Sequence, residues 1–149
     1  MIPIDCVLGA AYAGDKSYYE YIHGLNGLVG YGVDEEFLSL KYWLTGSSCI
    51  LVKDFEVGHI YREKNTPGPF VRSRIDACYN RLYLLETLFP PGLLKDTIDE
   101  RIKATYSAAY MDAKKLIGDK KEYIEKERSY LKSIFASDYI EILSRLVKI

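Results

Sequence analysis

Three adjacent carboxylates and one histidine are the residues of this chain whose types and spacing permit chemistry. Asp34, Glu35 and Glu36 stand directly after a glycine-rich run. His59 follows Gly58 and precedes an apolar-aromatic pair, with Arg62 three residues further on. A carboxylate at the edge of a glycine loop accepts hydrogen bonds from sugar hydroxyls, and it can also serve as the general base that deprotonates an attacking hydroxyl. An imidazole joined by carboxylates ligates a divalent ion, and a guanidinium pairs with a pyrophosphate. Each feature also has a purely architectural reading. Acids favour the positive end of a helix dipole, a lone histidine on a strand is often a hydrogen-bonded structural group, and Arg62 can be half of a surface pair. Helical neighbours diverge by about 100°, so the three acids cannot face one point. Asp34, nearest the loop, and Glu35 are the catalytic candidates, with Glu36 or its neighbour turned to solvent. The other histidine, His23, lacks comparable company in sequence and reads as structural.

These groups require a helix start and a strand end to hold them. Phe37, Leu38, Leu40 and the Trp43-Leu44 pair recur at helical spacing, which predicts a helix over Asp34–Leu44 with the acids in its first turn and Thr45-Gly46-Ser47 as its stop. Upstream, the apolar, small-residue segment from Asp5 to Ala13 reads as a buried strand. Lys16 to His23 reads as a short helix capped by Ser17, with Glu20 completing a capping box. Gly24, Gly27, Gly30 and Gly32 mark a loop. Downstream, Ser48–Lys53 and Val57–Tyr61 read as strands, and Asn65–Pro69 as a loop. Beyond Arg74 helix formers take over. A helix is predicted over Ile75–Leu88, stopped by Pro90-Pro91-Gly92. Ile98, Ile102, Tyr106, Ala109, Ala113 and Leu116 predict one long helix ending near Gly118. Two more are predicted, over Lys120–Phe135 and over Tyr139–Val147, the last capped at Ser137-Asp138.

Composition narrows the classes. The 20 basic and 21 acidic residues nearly cancel, so no global field draws the chain to nucleic acid. Cys6, Cys49 and Cys78 are odd in number and far apart with no CxxC pair, which argues against a zinc framework and for a reducing, cytoplasmic setting. No basic n-region precedes the first apolar run, and Asp5 interrupts it, unlike a secretory signal. Fourteen tyrosines supply flat faces with polar tips, suited to sugar stacking and equally to half-buried helix packing. The last helix carries Ile140, Leu143, Leu146 and Val147 but only Arg145 and Lys148 as basic residues. That face is suited to a protein contact, including a homo-oligomer through the helical tail, rather than to a membrane surface.

Several of these segments together resemble a known pattern. Gly9-Ala10-Ala11-Tyr12-Ala13 with Tyr18-Tyr19, Gly27-Leu28-Val29, Tyr31-Gly32-Val33-Asp34-Glu35 and Val57-Gly58-His59-Ile60-Tyr61-Arg62 follow one another. In this order they are similar to the C-terminal half of a family 2-type glycosyltransferase of GT-A fold, in particular the polypeptide N-acetylgalactosaminyltransferase and galactosyltransferase C-terminal region. The likeness covers residues 4–63. It implies an α+β fold: a partial GT-A lobe of short strands and a helix over residues 1–74, then a mainly helical extension over 75–149. It implies that Asp34 takes the place of the family's glutamate contacting sugar or acceptor, with Glu35 at the next position. Tyr31, Gly32 and Arg62 become substrate-binding positions, and His59 the metal ligand for Mn²⁺ or Mg²⁺. The implied partners are a nucleotide-sugar donor and a carbohydrate or other hydroxyl acceptor. Three positions depart from the pattern: Tyr31 replaces a tryptophan, Val33 replaces a glycine, and Asp34 is one methylene shorter than glutamate. The family's Asp-x-Asp nucleotide-binding half has no counterpart before Ile4, so the chain reads as a C-terminal portion that does not turn over a sugar nucleotide alone. The contrasting reading is a non-catalytic helical interaction module in which the glycines and acids are architectural.

Overall fold

The computed structural model describes residues 1–9, 11–58 and 73–146. Among the described residues the chain is mostly helical, with seven helices and one two-stranded antiparallel sheet, α+β in the broad sense. The sheet pairs β1 (Ile2–Ile4) with β2 (Cys49–Leu51), in the register Ile2 to Leu51 and Ile4 to Cys49. The strand expected over Asp5–Ala13 is not there. β1 ends at Ile4, and the following segment lies open, with Leu8 77% exposed. Gly9, Ala11 and Ala13 are exposed and contribute little apolar area to a core. The segment is fastened instead by polar bonds to the next helix but one.

That order begins with α1 (Lys16–Tyr21), whose cap is Asp15 rather than the expected Ser17. The Asp15 carboxylate accepts the Tyr18 N–H at 2.8 Å, and the Ser17 hydroxyl donates to the same oxygen. Ser17 thus supports the capping group instead of being it. The glycine loop then leads to α2 (Asp34–Leu44), with the limits the spacing predicted. Val33, immediately before it, adopts φ 74°, a left-handed conformation costly for a β-branched residue and readily adopted by glycine. The Thr45 hydroxyl closes the far end of α2 on the Lys41 carbonyl at 2.7 Å, and Gly46 turns the chain at φ 79°.

Downstream, α3 (Arg74–Leu88) opens on a Ser73 cap and forms the centre of the molecule. Cys78, Tyr79, Leu82, Tyr83, Leu85 and Leu88 are all buried, so it is enclosed on most of its circumference. The long helix expected through Leu116 is two: α4 (Leu93–Thr105) and α5 (Tyr110–Asp119). Between them the Tyr106 carbonyl accepts N–H groups from Ala109 and Tyr110 at 2.8 and 2.9 Å, a tight turn. The turn lets Ile102 of α4 and Ala113 of α5 join the same core. α6 (Lys121–Ile134) and α7 (Tyr139–Leu146) complete the bundle. Val147, expected in the last helix, lies outside the described residues. The Ala136 N–H binds the Leu44 carbonyl at 2.8 Å, joining the α6–α7 link to the end of α2. One apolar cluster runs from Val33, Phe37 and Leu44 through α3 to Ala113, Ile124, Leu131 and Leu143. Among the described residues no helix is long and apolar enough to cross a membrane.

Candidate functional site

Buried side chains of α3 hold the glycine loop in shape: the Tyr79 hydroxyl donates to the Gly27 carbonyl at 3.3 Å, and Asn80 makes the larger set of bonds. Asn80, 1% exposed, accepts the Val29 N–H at 2.9 Å and donates to the carbonyls of Val29 at 2.7 Å and Gly32 at 3.0 Å. Its amide substitutes for strand partners that a loop backbone otherwise lacks. Below it, Gly27 sits at φ 92° against the ring of Tyr83, where a Cβ would overlap the phenol. The loop therefore folds as it does because one position has no side chain and another offers an amide.

The result is a hollow of about 300 Å³ lined by Leu25, Leu28, Gly30, Tyr31, Gly32, Asp34 and Asn80. Tyr31 is 55% exposed at its rim, and Asp34, first residue of α2, is half-buried in its wall. Asp34 has no salt bridge or side-chain hydrogen bond among the described residues. Tyr12 lies within the field of this carboxylate: burial, then Asp34, push its phenol above the usual range. The hollow thus offers an aromatic face, a carboxylate acceptor and glycine backbone, a combination able to receive a polyhydroxylated ring.

The other predicted positions divide. Tyr31, Gly32 and Asp34 meet in this hollow. Glu35 points elsewhere: its Oε1 accepts the Gly9 N–H, and four residues later the Ser39 hydroxyl accepts the Val7 N–H at 3.0 Å. Together they fasten segment 7–9 along α2. Glu36 is exposed, as the helical angle requires. His59 and Arg62, with the expected strand Val57–Tyr61 beyond Gly58 and the loop Asn65–Pro69, lie outside the described residues. Among the described residues no group of three or more His, Cys, Asp or Glu side chains is placed to hold a metal ion.

Sequence reasoning missed a second polar assembly. His23, read as structural for want of neighbours, has its Nδ1 2.8 Å from Oε2 of Glu127, 104 positions away on α6. Its ring stacks on Tyr130 with centroids 4.0 Å apart, and its backbone is left-handed at φ 56°. Oε1 of the same carboxylate lies 3.6 Å from the Lys41 ammonium, which is 0% exposed. Lys41 Nζ donates to the Gly24 carbonyl at 2.9 Å and lies 4.2 Å from the centre of the Phe37 ring. Burial depresses the lysine to about 8, against the opposing pull of Glu127. The sequence signal was Lys41 itself, a cation within the apolar stripe of α2. A further, wider depression on α4, lined by Asp96, Thr97, Glu100, Arg101 and Ala104, is the face of one helix and encloses nothing.

Compared with protein families, curated proteins and solved structures, the chain matches none.

Proposed function

We propose that the chain is the acceptor-side, C-terminal portion of a glycosyltransferase. The enzyme moves a sugar from a nucleotide-sugar donor to a hydroxyl acceptor, and a separate nucleotide-binding half holds the donor's nucleotide. One observation carries this reading: Asp34, with no side-chain hydrogen bond or ion pair among the described residues, stands in the wall of a sugar-sized hollow beside Tyr31 and Gly32. In this reading Tyr31 offers its ring to the apolar face of a sugar, and the backbone at Gly32 allows close approach. Asp34 accepts a hydrogen bond from a sugar hydroxyl and, where that hydroxyl is the attacking group, takes its proton. Glu35 serves the site by holding segment 7–9 in place, not by touching substrate.

The resemblance adds a divalent ion, Mn²⁺ or Mg²⁺, with His59 as its ligand. Among the described residues that line it, the hollow supplies one carboxylate, Asp34, and one carboxylate is too few to hold such an ion. The chemistry assigned to the described residues is accordingly hydrogen bonding and proton transfer. The engagement of Glu35 by Gly9 favours the rival reading, a helical interaction module with architectural acids.

Saturation-transfer NMR on the chain with a panel of methyl glycosides separates the two. The proposal requires saturation of at least one glycoside, lost in Asp34→Asn with the fold intact. A panel that receives none, or binding that survives Asp34→Asn, overturns it. A donor assay of the isolated chain with manganese should show no turnover. Robust transfer would refute the assignment of nucleotide binding to another half.

A further inference from the structure

We propose that Lys41, Glu127 and His23 form a clasp whose release takes up a proton, so that the glycine loop is held more firmly in alkaline than in neutral solution. The proposal concerns the loop itself and stands whatever the hollow binds. Its basis is the geometry at the loop's entry. The left-handed turn His23-Gly24 starts the loop, and both of its carbonyls face one ammonium: Lys41 Nζ lies 2.9 Å from the Gly24 oxygen and 3.5 Å from the His23 oxygen. The His23 imidazole reaches Glu127 on the opposite side, and Tyr130, three residues further along α6, stacks on that ring while its hydroxyl binds the Tyr21 carbonyl at 2.6 Å. Helices α2 and α6 thus grip the same turn from two sides.

The ammonium is poorly compensated for a group so deeply buried. Its anion among the described residues, Glu127, is shared with His23, and Oε1 stands 3.6 Å away without a hydrogen bond of its own. The ionisable groups facing Lys41 are Glu127 of α6 and His23 of the turn. Around the carboxylate stand Tyr83 of α3, on which Tyr123 of α6 stacks, and Tyr130. Tyr83 and Tyr130 are both pushed upward, by burial first, and stay neutral through the range considered. Lifting the turn away admits water to Lys41 and restores its ordinary affinity for a proton. The sign follows from linkage: the closed state, with lysine at about 8, binds fewer protons than the open one, with lysine near 10.5. Raising the pH across that interval therefore favours closure. Between pH 7 and pH 9 the opening equilibrium falls about tenfold.

Millisecond-pulse amide exchange of the chain tests this, corrected for the intrinsic rate at each pH. Amides between Gly24 and Val33 should gain about tenfold in protection from pH 7 to pH 9. Lys41→Met should abolish the gain, and Glu127→Gln, which strips the lysine of its anion, should move it to lower pH. Loop protection that is flat or falling with pH in the unmodified chain overturns the clasp. That profile decides the matter even if neither variant folds.

Discussion

Replacing Asn80 by alanine is the perturbation whose consequence the structure fixes most closely. The side chain is 1% exposed and makes three hydrogen bonds, all to loop backbone. Each is worth about 1 kcal/mol net. Alanine also strands one N–H and two carbonyls, although Val29 and Gly32 are only half-buried, so water relieves part of that penalty. The expected loss is about 3 kcal/mol of unfolding free energy. For a chain of 149 residues that corresponds to a fall in Tm of roughly 6–10 °C. Asn80→Asp makes a sharper comparison. It keeps the acceptor for the Val29 N–H, loses both donors and buries a charge, so it should cost at least as much as alanine. Urea unfolding followed by far-UV circular dichroism gives both values. An Asn80→Ala variant within about 0.5 kcal/mol of the parent, the range of an ordinary surface change, would refute the clamp and with it the shape of the hollow.

Other outcomes follow from the same packing. Gly27→Ala should destabilise the chain by about 3 kcal/mol in urea unfolding, because left-handed backbone and overlap with the Tyr83 ring both oppose a Cβ; an unchanged midpoint would misplace the loop. Asp15 is held below the ordinary carboxylate value of 3.8, first by the Ser17 hydroxyl and then by the Tyr18 N–H. Its capping contribution is therefore complete above that value and is lost as pH falls through the lower folded value. NMR shifts of Tyr18 and Tyr19 amides should report fraying of α1 in acid, and Asp15→Asn should remove the titration. Ser73→Ala should cost about 1 kcal/mol by removing the α3 cap, whereas a loss near zero would assign the start of α3 elsewhere.

What the sequence disclosed depended on how local the cause was. Helix α2 was legible to the residue, because its apolar spacing, its acids and the Thr45-Gly46 stop all lie within the segment itself. Helix α3 was legible to within one residue at its start, and Pro90-Pro91-Gly92 supplies its end. The break between α4 and α5 carries no proline or glycine. It is imposed by α3, onto which both halves must pack, so periodicity alone joined them. The Asp5–Ala13 segment misled because small apolar residues resemble a buried strand, yet fastening by Glu35 and Ser39 needs no burial. At the site, Tyr31 and Gly32, named through the resemblance, and Asp34, named from its place at the helix start, line one hollow. Asn80 and Glu127 were not legible, since what makes them important is a partner about 50 or 100 positions away. Glu35 was legible as an acid but not as a tether, because its partner is a backbone N–H that no sequence pattern marks.

Amide-shift mapping of the labelled chain against a methyl glycoside bound in the saturation experiment tests the central claim most directly, that the hollow receives a sugar hydroxyl at Asp34. The account predicts shifts confined to Leu25–Glu35 and Asn80, and absent from Asp34→Asn. Shifts centred on the Asp96–Ala104 face of α4, or a map unchanged by the substitution, would contradict it.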